Sequence, residues 1–256
     1  NHIITAAVEH HAVLEPCEQL KKEGFDVTVL PVDEYGRVSV ETVKNAIKPE
    51  TILISIMFAN NEVGTIHPIA EIGALARERK IYFHTDAVQA GGNWPIDVKE
   101  MNIDLLTMSG HKFNAPKGIG ALYVRKGVRL RSVQQGGGQE RHLRPGTENV
   151  PGIVGLGMAA EKARLGMAEK VRYTTRLRDR LLSGILETVP EIKVNGHPTE
   201  RLPGNVNVSV IYVEGESLLL NLDMKGIAAS SGSACTSGSL DPSHVLLAIG
   251  LPHEIA

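Results

Sequence analysis

The chain has 256 residues, 42% of them hydrophobic and 22% charged, the balance of a globular fold with one large domain or a large domain and a small companion. Its 27 Lys plus Arg against 29 Asp plus Glu leave a net charge of −2, which excludes the concentrated positive surface that nucleic acid requires. Two cysteines, Cys17 and Cys235, are too few for a disulfide framework and point to a reducing, cytoplasmic setting, and no apolar run reaches the roughly 18 residues of a membrane helix.

Asn1 to Ile4 opens directly on strand-like sequence, with no leader read ahead of it. Ala12 to Glu23 has a helical pattern, and Phe25 to Leu30 (FDVTVL) reads as a strand. A helix over Val40 to Ile47 leads to Thr51–Phe58 (TILISIMF), a nearly continuous apolar run that fits a strand buried on both faces. Ile69 to Arg79 is helical, and Lys80–Phe83, Asp104–Met108 and Ile119–Val124 read as further strands. Strand and helix alternating at this spacing predict an α/β fold with a mostly parallel sheet flanked by helices. The turn Gly118-Ile119-Gly120 makes the last strand antiparallel, so the sheet is expected to be mixed. The basic cluster Arg125 to Arg131 reads as solvated surface.

These elements are assigned to a large α/β domain over residues 1–150. A connecting segment, 151–190, carries one long helix from Ile153 to Leu186. A smaller α+β domain over 191–256 holds short strands at Ile192–Val194 and Val206–Ile211 and helices at Glu216–Asp223 and Ser243–Ile249. Both ends read as cut, the last residues stopping at the start of another helix.

Chemistry gathers at predicted strand ends, where α/β sheets collect ligands. In Met108-Ser109-Gly110-His111-Lys112 a desolvated lysine can form a Schiff base with a carbonyl cofactor, with Ser109 and His111 beside it to bond a phosphate; otherwise it is a turn lysine. In His84-Thr85-Asp86-Ala87-Val88-Gln89 the aspartate can pair with a protonated pyridine nitrogen and Gln89 with a ring hydroxyl, if the chain turns into a helix there; alternatively Asp86 caps that helix. Asn60-Asn61-Glu62-Val63-Gly64 is a turn by composition, and its asparagines can also reach a ring oxygen or a carboxylate. In Glu9-His10-His11, an imidazole at a helix start can stack on a ring and move protons, or simply begin the helix.

Arg144-Pro145-Gly146-Thr147-Glu148-Asn149 offers a hydroxyl and a helix start to phosphate, or a turn with a cap. Ser230-Ser231-Gly232-Ser233-Ala234-Cys235-Thr236-Ser237-Gly238 sets a cysteine in a Gly/Ser-rich loop, the composition of a mobile nucleophilic thiol or of an incidental free one. Cys17 falls inside a helix and reads as a small core residue.

In this order the motifs resemble the NifS/IscS-like cysteine desulfurases, fold-type I (aspartate aminotransferase-like) pyridoxal-phosphate enzymes. The most specific pieces are SGHKFNAPKGIGALYVR (Ser109–Arg125), HTDAVQA (His84–Ala90), NNEVGT (Asn60–Thr65) and SSGSACTSG (Ser230–Gly238). The resemblance implies that Lys112 holds pyridoxal 5′-phosphate and acts as a base. Asp86 and Gln89 would hold the ring nitrogen and ring oxygen, and Asn61 the ring oxygen and substrate. His10 would stack on the ring as an acid–base, Ser109 and His111 would bind the phosphate, and Thr147 would reach the phosphate of the other subunit of a homodimer. It implies that Cys235 takes sulfur from L-cysteine as a persulfide, leaving alanine, and passes it to an iron–sulfur scaffold or other acceptor protein. No metal, nucleic acid or membrane enters.

Two family features have no counterpart in the sequence: a phosphate-binding Gly/Thr loop ahead of residue 1 and a carboxylate-binding arginine beyond residue 256. The expectation is therefore an enzyme truncated at both ends, or one piece of a nicked chain. Two rivals stay open. Another fold-type I enzyme, such as a selenocysteine lyase or an aminotransferase, uses the same lysine, and an aminotransferase does not need Cys235. A non-catalytic sulfur-carrier or scaffold-docking fragment needs none of the cofactor residues.

Overall fold

Runs of aliphatic and β-branched residues pair into a six-stranded sheet in the computed structural model, which describes residues 1–231 and 242–255. The strands are β1 (His2–Ala6), β2 (Asp26–Leu30), β3 (Thr51–Ser55), β4 (Tyr82–Asp86), β5 (Leu105–Ser109) and β6 (Gly120–Val124). They lie in the order β2-β1-β3-β4-β5-β6; the first five are parallel and β6 is antiparallel to β5. This is the mixed, mostly parallel sheet expected, with its antiparallel member after the Gly118 turn. Crossovers between parallel strands use α1 (His11–Lys22), α2 (Val40–Ala46) and α3 (Ile69–Glu78).

Two boundaries move for local reasons. Lys80 adopts a left-handed backbone (φ 58°) just past the end of α3, so the next strand begins at Tyr82. The apolar run from Thr51 leaves regular strand at Ser55. Its continuation still bonds to β4, through Ile56 N–H to the His84 carbonyl (3.2 Å) and Phe58 N–H to the Asp86 carbonyl (2.8 Å), before turning at Asn60.

Beyond the sheet come a 3-10 turn (Gly110–Phe113), a short α4 (Gln139–His142) and the long α5 (Val150–Thr188). Asn149 caps α5 by accepting from Gly152 N–H at 3.1 Å. A two-stranded antiparallel sheet of β7 (Ile192–Val194) and β8 (Val208–Val210) comes next, then α6 (Gly215–Met224) and α7 (His244–Ala248). No helix among the described residues is long and apolar enough to cross a membrane. One core joins Ile4, Ile54 and Phe83 of the sheet to Ile72 of α3 and Val245 of α7. Cys17 is buried in α1, and burial pushes its thiol up, so it serves packing as expected.

His84 ties three strands together. Its Nδ1 lies 2.8 Å from Ser55 Oγ on β3 and its Nε2 2.9 Å from Thr107 Oγ1 on β5. Burial lowers its pKa to about 4, so the folded chain binds fewer protons here than the unfolded chain, where the value is 6.5. Its stabilising contribution is complete above pH 6.5 and is lost as pH falls toward 4, at about 1.4 kcal/mol per pH unit. His67, lowered to about 3 by burial and by Arg37, acts with the same sign, while buried Glu9 and Asp86, both pushed up by burial, oppose it. Comparison with His84→Gln cancels those other groups. Urea unfolding should show the parent's advantage over the variant shrinking by about 2 kcal/mol between pH 7 and 4.5. A pH-independent difference would remove the assignment.

Candidate active site

Parallel pairing puts the carboxyl ends of β1, β3, β4 and β5 along one edge, and each leads into one of the candidate motifs. After β1, the chain turns into Glu9 and His10. His10 caps α1, its Nδ1 accepting from Ala12 N–H at 3.1 Å. A neutral ring used this way carries its proton on Nε2.

Glu9 has no exposed surface. Oε1 accepts from Met57 N–H at 2.6 Å, and Oε2 has no partner among the described residues. Burial, with the Asp86 charge, pushes its carboxyl well above the usual range, and Met57 N–H only partly opposes this. Sequence reasoning gives Glu9 no role; the signal available is a carboxylate ending an apolar stretch.

Asn60 organises the turn after β3. Its Nδ2 donates to the Val8 carbonyl (2.8 Å), and its Oδ1 accepts from Glu62 N–H (2.8 Å) and Val63 N–H (2.9 Å). That leaves the half-buried Asn61 free to line a cavity of about 330 Å³ with Gln89, Asn93, Lys170, Thr174 and Asn205. The outer wall is stitched to the turn: Asn205 Nδ2 donates to the Glu62 carbonyl (2.7 Å) and Leu202 N–H to the Gly64 carbonyl (2.9 Å). Gly64 has φ +74°, and a Cβ there would come within 2.5 Å of Asn205.

Asp86 closes β4 at 8% exposure. Its Oδ1 accepts from Val88 N–H at 2.9 Å. Burial raises its pKa, and the Val88 bond pulls the other way. The helix expected to carry Gln89 does not form: residues 88–93 make consecutive turns. Gly92 there has φ +72°, and a Cβ would meet Phe113 Cβ at 2.7 Å, so the turns press against the lysine segment. Gln89 still reaches the edge, sharing the cavity with Asn61, while its carbonyl accepts from Asn93 Nδ2 at 3.0 Å.

Ser109 ends β5, its Oγ 2.8 Å from His111 Nδ1. Lys112 stands exposed in the 3-10 turn after it. The turn is pinned from below by buried Phe113, which packs on Ala115 and on Ala159 of α5. Seven candidates (His10, Asn61, Asp86, Gln89, Ser109, His111 and Lys112) thus stand along one edge of the sheet. Thr147 is exposed in the stretch before α5 and has no side-chain hydrogen bond among the described residues. Cys235 lies outside the described residues.

A mostly parallel mixed sheet with helices on its faces and these motifs at its carboxyl edge defines a fold-type I, aminotransferase-like protein. The chain belongs to the class-V aminotransferase family, which matches residues 1–251. It is 63% identical to a cysteine desulfurase IscS of Methanosarcina thermophila over 99% of this chain and 63% of that protein. A cysteine desulfurase IscS of Clostridium botulinum is 62% identical over 100% of this chain and 65% of its own length. The chain thus spans less than two thirds of these curated relatives. A solved NifS-like protein superposes with a TM-score of 0.91 at 38% identity, over 100% of this chain and 67% of that one. SspA, solved in complex with cysteine, gives 0.82 at 40% identity over 99% and 70%.

Proposed function

We propose that the full-length protein is a pyridoxal-phosphate-dependent cysteine desulfurase, converting L-cysteine to L-alanine and a persulfide on Cys235. We infer further that it works as a cytoplasmic homodimer and hands the sulfur to an acceptor protein, such as an iron–sulfur scaffold. The names of the similar proteins support the activity, and the SspA complex supports cysteine as substrate.

The observation that carries the reading is the buried Asp86 carboxylate at the end of β4, one strand away from the lysine turn after β5. Asp86 satisfies Val88 with one oxygen, and its Oδ2 has no partner among the described residues. A buried carboxylate in that state calls for a cation, and a protonated pyridine nitrogen is one. The donor set fits the group: the Lys112 amine for its carbonyl, Asp86 for its nitrogen, Gln89 and Asn61 for its ring oxygen, and the His10 ring for its face. Ser109 and His111 would take its phosphate, with Thr147 serving the partner subunit's. When bound, pyridoxal phosphate supplies an electron sink for the substrate carbon.

The protein's own groups do the rest. Lys112 removes the substrate α-proton, and His10, protonated on Nε2, is placed to move a proton at the substrate thiol. The Cys235 thiolate attacks the substrate sulfur. A sulfur–sulfur bond forms as the carbon–sulfur bond breaks with its electron pair left on carbon, and that carbon takes a proton to become the methyl of alanine. The test is full-length protein given L-cysteine and pyridoxal phosphate. Alanine should appear in equal amount with sulfur transferred to a thiol acceptor. Cys235→Ala should lose both and retain slow amino-group transfer to a keto acid. Undiminished alanine release by Cys235→Ala would overturn the reading.

A further inference from the structure

The outer side of the turn that presents Asn61 is held by one stretch of chain, residues 195–207. Leu202 N–H donates to the Gly64 carbonyl (2.9 Å), Ile66 N–H to the Glu200 carbonyl (2.9 Å) and His197 N–H to Thr65 Oγ1 (2.9 Å). Two side-chain amides then converge on one oxygen: Asn205 Nδ2 (2.7 Å) and Asn207 Nδ2 (3.2 Å) both donate to the Glu62 carbonyl. From the inner side, Asn60 Oδ1 accepts from Glu62 N–H and Val63 N–H. Both peptide planes flanking Glu62 are therefore held, and each plane is rigid. Asn61 directly precedes Glu62, so these bonds set its backbone direction while its side chain lines the cavity.

The clamp is stiff and poorly suited to mere adhesion. Buried Asn195 donates from Nδ2 to Asn207 Oδ1 (2.9 Å) and to Ser209 Oγ (2.8 Å) of β8, which fixes the Asn207 amide. Buried Arg201 folds the intervening loop by donating to the Asn195 and His197 carbonyls. Asn205 is wedged against Gly64, where a Cβ would fall 2.5 Å from its Oδ1. Only the Nδ2 end of its amide can donate to a carbonyl, so the bond to Glu62 fixes which way round it sits. Its Oδ1 is then buried with no partner among the described residues. An orphaned acceptor costs stability, and an apolar side chain would serve adhesion better. What the asparagine supplies is a donor at one place.

We propose that Asn205, backed by Asn207, is a positioning residue that aims Asn61 at the bound cofactor and substrate. It acts through the Glu62 carbonyl. Displacing a group that orients a reacting molecule by 1 Å can cost about 10²-fold, so the loss of one bond at Glu62 registers at Asn61. The inference deepens the desulfurase reading and rests on it.

The experiment uses full-length protein loaded with pyridoxal phosphate, and its readout is the pH midpoint of the bound cofactor's visible absorbance. A donor to the ring oxygen favours the unprotonated form and lowers that midpoint, so losing the donor raises it. Asp86, His10 and Lys112 face the same edge, are unchanged in every variant and cancel. Asn61→Ala should raise the midpoint by about one pH unit, and Asn205→Ala by about half a unit. With Asn61 gone there is nothing left to aim, so the double variant should match Asn61→Ala to within about 0.2 unit. The loss in urea unfolding caused by Asn205→Ala should instead be equal in both backgrounds, because the bond to Glu62 does not use the Asn61 side chain. Should Asn205→Ala not fold, Asn205→Leu has nearly the same shape without the donor and should give the same cycle. An unmoved midpoint in the Asn205 variant, or an equal shift with and without Asn61, overturns the proposal. An Asn61→Ala variant that moves nothing also overturns it, while conversion of L-cysteine by the parent leaves the desulfurase reading standing. A parent that binds no pyridoxal phosphate fails at that reading itself and takes the proposal with it.

Discussion

Asp86→Asn in the full-length protein is expected to lower alanine release from L-cysteine by at least about a hundredfold and to leave unfolding nearly unchanged. The two jobs open to Asp86 separate in this variant. As a turn cap, the side chain needs only an acceptor for Val88 N–H, now 2.9 Å from Oδ1, and the asparagine carbonyl supplies one. As the partner of a protonated ring nitrogen it needs a full negative charge, which asparagine lacks. Losing one preorganised electrostatic contact in a water-poor site costs about 10² to 10³ in rate. Asp86→Ala should match that loss and also give up about 1 kcal/mol of stability with the cap.

Neighbouring groups sharpen the expectation. Burial leaves the Asp86 carboxylate poorly compensated and raises its pKa, while the Val88 N–H bond opposes this. Glu9→Gln keeps an oxygen that accepts from Met57 N–H and should perturb the site far less than Asp86→Asn. The checks are the rate of alanine release and, separately, bound pyridoxal phosphate by absorbance. Activity of Asp86→Asn within threefold of the parent would mean that Asp86 is only a cap.

Much of this site is legible in the sequence because its residues come directly after strands that are clearly marked. Runs of aliphatic residues mark the strands at Thr51–Ser55 and Leu105–Ser109 even though Ile52 is exposed, and the residues just past each strand stand at the ligand-binding edge. The less legible parts depend on long-range contacts. Local pattern puts Gln89 in a helix, but the chain takes successive turns because Gly91 and Gly92 let it approach Met108 and Phe113, residues some twenty positions away. The hydrogen bonds of Ser243 to Glu62 and of His244 to Glu9 join residues 181 and 235 positions apart, and no local pattern encodes such pairs. The three consecutive left-handed residues Glu140, Arg141 and His142 carry no glycine to signal them.

Gly73→Ala should destabilise the protein by about 3 kcal/mol, although alanine is the better helix former by about 1 kcal/mol. Gly73 sits mid-way along α3, where a Cβ would fall 1.9 Å from the Met101 carbonyl oxygen and 3.3 Å from Phe83 Cδ1. Neither wall gives easily. Met101 lies in a turn locked by Asp97, whose carbonyl accepts from Met101 N–H (2.9 Å) and whose Oδ1 accepts from Lys99 N–H (2.8 Å). Phe83 is fully buried in β4, directly before His84 and three residues from Asp86. The helix must therefore lift from the sheet, which withdraws Ile72 and Ala76 from the core. Phe83→Leu gives space on one side only, because the harder contact is with backbone. The double variant should then lose the sum of the two single losses to within about 0.5 kcal/mol in urea unfolding. Recovery in the double variant would place the obstruction at Phe83 instead, and with it the route by which a packing change in α3 reaches the strand that ends in Asp86.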